Sequence, residues 1–429
     1  MTNTSVWWGR SPLRASMKRT EPRTSYFPEI IAYSGKINNQ VEEVTIFNLA
    51  TAEEIKNGEV TDVYFERTQK ILEEYNIDKE VRMEIRTKNV PGKGPGVLTG
   101  LDEVIQLLEG TGNSVWTIPE GSVFLPYEPV MMIEGGYRDF SPLETPLLGL
   151  LCQASGISTK ARLVTEAAGD NPVFHFGSRR MHPSIAPMIG RSAYIGGCSG
   201  VAVTKTARQL GLDPVGTIPH ALILILEDST TATGMFEKLF GEEVNTVALV
   251  DTFGDEKFEA LENADLIEGL NAVRLDTPSS RRGNMLEIAR EVRWELDLHG
   301  FPDVEIFISG GLDEESIPDL NEVADAYGVG TSISNAPVVD FSLDIVEIEG
   351  EPVSKRGKKS GSKQLYTCSS CDSRLVRSFG ERQIECPRCG GKATPNMEKV
   401  IENGEVLKGE STAKEIRDHS ISQPFIENH

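Results

Sequence analysis

Between residues 173 and 331 the chain repeats one pattern. A short apolar run stops at a polar or glycine cluster, and the next begins about twenty residues later. The runs at 173–176, 193–195 and 216–222 lead to, or contain, Gly177-Ser178-Arg179-Arg180, Gly196-Gly197-Cys198-Ser199-Gly200 and Gly216-Thr217-Ile218-Pro219-His220. Those at 246–250, 272–275, 304–308 and 327–329 end in Asp251-Thr252, Asp276-Thr277, Ser309-Gly310-Gly311 and Gly330-Thr331. Helical patterns fill the gaps, such as Met285, Ile288, Val292 and Leu296 on one stripe before Gly300. Six or seven strand-helix units predict an α/β barrel, complete or incomplete, with chemistry at the ends of its parallel strands.

The residues ahead of the barrel read differently. Residues 1–44 carry Ser, Thr, Arg and Pro without period and are expected to be a disordered extension. Thr51 with Glu54 makes a capping box, and residues 61–75 form a helix with Ile71, Leu72 and Tyr75 on one face. From 81 to 134, β-rich pieces alternate with Gly and Pro turns around a helical pattern at 101–108, predicting an antiparallel α/β sandwich over residues 45–160. That domain has the option of recruiting C-terminal segments. A buried helix opened by Leu143-Glu144-Thr145-Pro146, with Glu144 and Thr145 as caps, leads to the barrel domain at 161–350.

A basic glycine-serine linker at 354–363 separates the barrel from a tail, 351–429 in all. The tail holds Cys368-x2-Cys371-x14-Cys386-x2-Cys389, two CxxC pairs spaced to place four thiolates around one metal ion, zinc before iron. Four of the six cysteines lie there, so no disulfide framework is expected; Cys152 and Cys198 read as buried thiols.

The formal charge of -22 argues against a general nucleic-acid binder. Any anionic substrate needs a local cationic pocket, with Arg179, Arg180, Arg274, Arg281 and Arg282 as candidates. The counter-reading is a zinc ribbon for nucleic acid. Residues 355–392 hold ten Lys or Arg against three acidic residues, but few aromatic side chains for stacking. No apolar run is long enough to span a bilayer, and the N-terminal basic residues have no apolar core behind them. A cytoplasmic protein without a membrane partner is expected.

In this register, Phe176-Gly177-Ser178-Arg179, Gly216-Thr217-x-Pro219-His220 and Val273-Arg274-Leu275-Asp276 together resemble the nicotinate phosphoribosyltransferase family. The likeness is to its short archaeal-type branch with a metal-binding tail and runs from Phe47 to the C-terminus. It implies a type II phosphoribosyltransferase-like fold: a small α/β sandwich, an α/β barrel and a zinc ribbon. The implied reaction joins nicotinate to phosphoribosyl pyrophosphate with Mg²⁺ in NAD biosynthesis. Arg179 and Arg274 match the family's phosphate-binding and second arginine, Asp276 the carboxylate on the ribose hydroxyls, and Asp251 a carboxylate near magnesium. Gly310-Gly311 and the loop of Gly328, Gly330 and Thr331 match the ribose and 5'-phosphate loops. Phe176 packs on one pyridine face, and Tyr64 of Asp62-x-Tyr64, from the neighbouring subunit, stacks on the other. That arrangement implies a homodimer with shared sites, or an assembly of such dimers. His220 matches the histidine that ATP phosphorylates, implying ATP coupling, and the neutral Ser199 suits a carboxylate-bearing pyridine. Quinolinate phosphoribosyltransferase is the nearest alternative. Singly, each residue has a plain reading: a core aromatic for Tyr64, a tight turn for Gly310-Gly311, a surface ion pair for Arg274, a packed histidine for His220.

Overall fold

The computed structural model describes residues 47–425 apart from Arg282, Lys408 and Glu410, so the expected N-terminal extension lies outside the described residues. Two sheets organise the chain. The first has seven strands in the order Glu351–Pro352, Phe341–Ile348, Glu80–Thr87, Pro129–Gly136, Ser114–Thr117, Glu398–Glu402 and Glu405–Val406, with every pairing antiparallel. Its inner face buries Ile85, Val115, Met131 and Ile133 against the helix Leu101–Leu108. That helix turns Leu101, Val104, Leu107 and Leu108 inward, the spacing of a single helical face. Four of these strands, Phe341–Ile348, Glu351–Pro352, Glu398–Glu402 and Glu405–Val406, follow the last parallel strand, so the sheet is completed from the C-terminal side.

The second sheet is wholly parallel, six strands in the order Gly200–Val201, Val173–His175, Ala326–Val329, Glu305–Ser309, Leu270–Leu275 and Thr246–Leu249. Its end strands do not pair, so the barrel is incomplete. Two of the expected strand runs differ from the sequence reading. Residues 193–195 end the helix Ala186–Ile195, and only Gly200–Val201 after it joins the sheet. Residues 220–226 form the helix His220–Leu226. The uninterrupted apolar run Ala221 to Leu226 has no alternation to fix it as a strand. It packs Ile223 with Ile218, Ala232 and Leu249 against the edge strand.

The 25-residue helix Glu144–Ala168 joins the two sheets. The expected caps are absent: Leu143 is the N-cap, and Thr145 instead exchanges hydrogen bonds with Asp62, its Oγ1 donating to Oδ2 at 3.1 Å. In the helix Val63–Glu74 the buried residue is Phe65, while Ile71 and Tyr75 point outward at 56% and 71% exposure. Of the face expected to carry Ile71, Leu72 and Tyr75, only Leu72 is half-buried in the single chain.

A four-stranded cysteine-bearing sheet, Arg374–Ser378, Lys363–Cys368, Lys392–Pro395 and Ile384–Glu385, rests on the first sheet. Arg374 donates to both oxygens of Glu128 at 2.8 and 2.5 Å and to the Val123 carbonyl at 3.0 Å, and Phe379 meets Trp116 edge to face at 5.4 Å. The final helix Ala413–Ser422, opened by a Thr412/Glu415 capping box, lies against the barrel. Arg417 donates to the carbonyls of Gly197 and Cys198, and Arg162 to those of Ser420 and Gln423. Among the described residues no helix is long and apolar enough to cross a membrane.

Candidate active site

The parallel strands bring their C-terminal ends together, where Arg274, Asp276, Ser309 and Thr217 form one bonded network and His220 and Asp251 form a separate pair. Arg274, in the last turn of its strand, has its guanidinium held on three sides. Nε donates to Ser309 Oγ at 2.9 Å, Nη1 to Thr217 Oγ1 at 2.6 Å, and Nη2 faces Asp276 Oδ2 at 3.2 Å. Ser309 Oγ in turn donates to Asp276 Oδ1 at 2.7 Å, so the carboxylate is fixed at both oxygens.

Phe176 begins where its strand stops, its N–H donating to the Val329 carbonyl at 2.8 Å. Its ring centroid lies 5.6 Å from the Arg274 guanidinium and 5.8 Å from Phe307, edge to face. Gly328 sits within the strand Ala326–Val329, where a Cβ would come within 2.7 Å of that ring. The glycine's absent side chain is what lets the aromatic lie flat across the strand ends. Gly310 and Gly311 follow Ser309 with φ of 90° and 72°, a left-handed turn that glycine adopts without strain. Gly330 precedes the short helix Thr331–Ser334 and packs on Gly177, with Thr331 exposed at its start.

His220, at the N-terminus of its helix, places Nε2 3.2 Å from Asp251 Oδ1. Burial raises the Asp251 pKa, and His220 opposes the rise. Its other oxygen, Oδ2, is buried without a hydrogen-bond partner, an acceptor that invites a cation or a donor from a ligand. Once Asp251 is ionised it can only accept, so Nε2 of His220 is the donor in this bond. Arg179 and Arg180 are exposed on the 3-10 turn Ser178–Arg180, and Ser199 is exposed before Gly200–Val201. Tyr64 is not in this network. It lies on the helix Val63–Glu74, 56% exposed, its ring against Phe65 and its hydroxyl 3.4 Å from Asp62.

Sequence reasoning did not single out several supporting groups. Ser309 and Thr217 are Arg274's hydroxyl acceptors, and both stood inside quoted motifs without an assigned role. Glu259, 7% exposed, accepts the backbone N–H groups of Thr252, Phe253 and Gly254 and so shapes the loop after Asp251. Only its i+7 spacing from Thr252 could have hinted at that. His175 is buried, with Nε2 2.9 Å from Ser334 Oγ; burial lowers its pKa to about 4, and as a neutral ring it ties the Phe176 strand to the Gly330 turn.

A cavity of about 970 Å³ lies elsewhere, among the helices Leu101–Leu108, Ala186–Ile195 and Ala413–Ser422. Its central charges are spent on one another, Arg191 pairing with Glu120 at 2.7 Å and Asp102 at 3.3 Å. Among the described residues its lining holds no buried side-chain polar atom left without a partner, as Asp251 Oδ2 is at the strand ends.

The four cysteines of the tail converge, their sulfurs all within 4.8 Å of one another. Cys368 and Cys389 are 3.5 Å apart, and Cys371 and Cys386 3.7 Å. Thiolates bound at 2.3 Å to one tetrahedral ion would be about 3.8 Å apart, so the cluster fits a metal such as zinc. Backbone bonds from Asp372 N to Cys368 O and from Gly390 N to Cys386 O close the two knuckles.

Comparison with known proteins gives this geometry its context. The family model for the N-terminal domain of quinolinate phosphoribosyl transferase matches residues 62–155, and that for its C-terminal domain matches residues 157–344. The chain is 32% identical over 280 residues to nicotinate phosphoribosyltransferase pncB2 of Mycobacterium tuberculosis, covering 62% of this chain and 58% of that one. A solved structure from Pyrococcus furiosus, described as nicotinate-nucleotide pyrophosphorylase, is 50% identical. It aligns with a TM-score of 0.86 over 88% of this chain and 98% of its own. The chain belongs to the quinolinate and nicotinate phosphoribosyltransferase family. Human nicotinic acid phosphoribosyltransferase, at 17% identity and a TM-score of 0.69, shares the family's fold. The chain spans about three-fifths of the length of the Mycobacterium relative it matches.

Proposed function

We propose that the protein joins nicotinate to 5-phosphoribosyl 1-pyrophosphate, forming nicotinate mononucleotide and pyrophosphate in NAD biosynthesis. The observation that carries this reading is the strand-end network: a guanidinium pinned over an aromatic ring, beside a carboxylate fixed at both oxygens and a left-handed glycine turn. Such a set suits a substrate with a flat ring, a polyol and phosphates.

The pyridine nitrogen attacks C1 of the ribose with its lone pair, the C1–O bond breaks, and pyrophosphate leaves with the bonding electrons. Pyridine nitrogen carries no proton, so no general base is needed. The work is positioning and absorption of the leaving charge. Phe176 presents a face for the ring. Asp276 accepts from the ribose hydroxyls. Arg274, Arg179 and Arg180 meet phosphate oxygens, as do the backbone amides of Gly310 and Gly311 and of the Gly328, Gly330 and Thr331 segment. Asp251, with its unpartnered buried oxygen, and Asp276 would hold Mg²⁺ arriving with pyrophosphate, which supplies countercharge to the leaving group. Ser199 leaves the pyridine carboxylate without a repelling charge.

The His220 side chain, held at Nε2 by Asp251 and 39% exposed, supports phosphorylation by ATP and coupling of its hydrolysis to synthesis. The exposed Val63, Tyr64, Ile71 and Tyr75 support a homodimer in which each protomer lends Tyr64 to the other's site, or a larger assembly of such dimers. Cys368, Cys371, Cys386 and Cys389 bind structural zinc, and six free thiols fit a cytoplasmic setting. Nucleic acid is not a partner on this reading. Four of the ten ribbon and linker cations are paired with the protein's own acids, Lys355 and Lys358 with Asp344, Lys363 with Glu84 and Arg374 with Glu128.

The test is to incubate the protein with phosphoribosyl pyrophosphate, Mg²⁺ and nicotinate, nicotinamide or quinolinate, with and without ATP. Mononucleotide from nicotinate is expected. The family model names quinolinate phosphoribosyl transferase, and product from quinolinate alone would transfer the assignment to that substrate.

A further inference from the structure

Residues 216–220 touch the site at both ends. Thr217 Oγ1 accepts from Arg274 Nη1 at 2.6 Å, and three residues later His220 Nε2 meets Asp251 Oδ1 at 3.2 Å. Between them Ile218 is 1% exposed, wedged with Ile223, Ala232 and Leu249 against the edge strand. Pro219 follows with its φ locked by the ring. The run is therefore a short, stiff link with a buried pivot. The buried Ile218 and the fixed φ of Pro219 limit how far His220 can shift without moving Thr217.

Arg274 is the group that would feel it. Ser309 and Asp276 hold the Nε and Nη2 sides of the guanidinium, and Thr217 holds Nη1. Ser309 and Asp276 sit on neighbouring strand ends and move with the sheet, whereas Thr217 reaches Arg274 from 57 residues away in sequence on the His220 loop. Of these three partners, the Thr217 hydroxyl alone ties the arginine to the histidine pair.

We propose that Thr217 is a positioning residue that couples the His220–Asp251 pair to Arg274, so that the grip on phosphoribosyl pyrophosphate responds to the state of His220. This rests on the phosphoribosyl reading of the site, but not on which pyridine is the acceptor.

The test reads binding rather than turnover. Calorimetry with Mg²⁺ and phosphoribosyl pyrophosphate is applied to wild type, Thr217→Val, Thr217→Ser, His220→Asn and the Thr217→Val/His220→Asn double variant. Losing one hydrogen bond to a charged donor should weaken binding about tenfold in Thr217→Val, while Thr217→Ser, which keeps the hydroxyl, stays within about twofold of wild type. The two substitutions should be strongly non-additive: once His220 is changed, Thr217→Val costs less than about twofold more. Additive losses would make Thr217 a merely structural contact and overturn the proposal. So would unchanged binding in Thr217→Val, or failure of the serine to rescue. Absence of phosphoribosyl pyrophosphate binding in wild type would overturn it too. If Thr217→Val does not fold, Thr217→Ala carries the same comparison. Coupling without mononucleotide from nicotinate would leave this proposal standing and remove the nicotinate assignment.

Discussion

Gly328→Ala puts the role of Phe176 under direct strain and removes no hydrogen-bonding group. A Cβ at Gly328 would lie 2.7 and 2.8 Å from two carbons of the Phe176 ring and 3.1 Å from Ser309 Cβ. Non-bonded carbons rest at roughly 3.5–4.0 Å, so the ring must withdraw by about 0.8–1.3 Å. The backbone there is ordinary strand, so alanine meets no conformational penalty, and the fold should lose only about 1–3 kcal/mol to overpacking. A misplacement of about 1 Å in a substrate-positioning group is enough for a loss on the order of 10² in rate. We expect kcat/KM for nicotinate to fall by about that factor, mostly through KM, in a protein whose circular dichroism and melting remain near wild type. Adding Phe176→Leu should remove most of the further cost of the alanine, because the clash is then relieved. A folded Gly328→Ala enzyme with unchanged nicotinate kinetics would refute the claim that Phe176 is the ring's platform.

Three further perturbations follow from the same structure. Glu259→Gln exchanges a carboxylate that gathers three consecutive backbone donors for a neutral amide; urea unfolding should show a loss of about 1–2 kcal/mol, with turnover reduced as Asp251 is displaced. Burial, reinforced by Asp344 and opposed by Lys355, raises the Glu144 carboxyl from its ordinary 4.5 to about 7. The folded chain thus holds that proton more tightly than the unfolded one: the stabilisation is complete below pH 4.5 and lost as pH rises through about 7. Glu144→Gln should match wild type near pH 4 and exceed its stability by about 1–2 kcal/mol at pH 8, after allowance for solvent screening; equal stability at both pH values would contradict this. Elemental analysis should find one zinc per chain, and Cys389→Ser or a strong chelator should remove it and lower the melting midpoint. Full metal retention in the serine variant would count against a four-thiolate site.

What could be read from the sequence was what local chemistry dictates. The Thr51 capping box, the stripe at 101–108, the two cysteine knuckles and the polar stops after the parallel strands follow from spacing alone, and each stands where spacing put it. The helix His220–Leu226 did not follow, because an unbroken apolar run looks the same as a buried strand or a helix. The sequence allowed C-terminal segments to join the first domain but did not single out 341–348 and 398–402, since antiparallel pairing across more than 250 residues leaves no local mark. In the site, residues with distinctive chemistry were visible, Arg274, Asp276, Asp251 and His220 among them. The hydroxyls and the buried carboxylate that orient them, Ser309, Thr217 and Glu259, were not. Their roles come from tertiary hydrogen bonds that common residue types make only when the chain brings them together.

The most direct test of the central claim is a crystal structure of the protein with nicotinate mononucleotide and Mg²⁺. The account predicts the pyridine ring on Phe176, the ribose hydroxyls at Asp276 and the 5'-phosphate on the amides that follow the strands Glu305–Ser309 and Ala326–Val329. A nucleotide found in the cavity around Arg191 and Glu120, with the strand ends untouched, would contradict it.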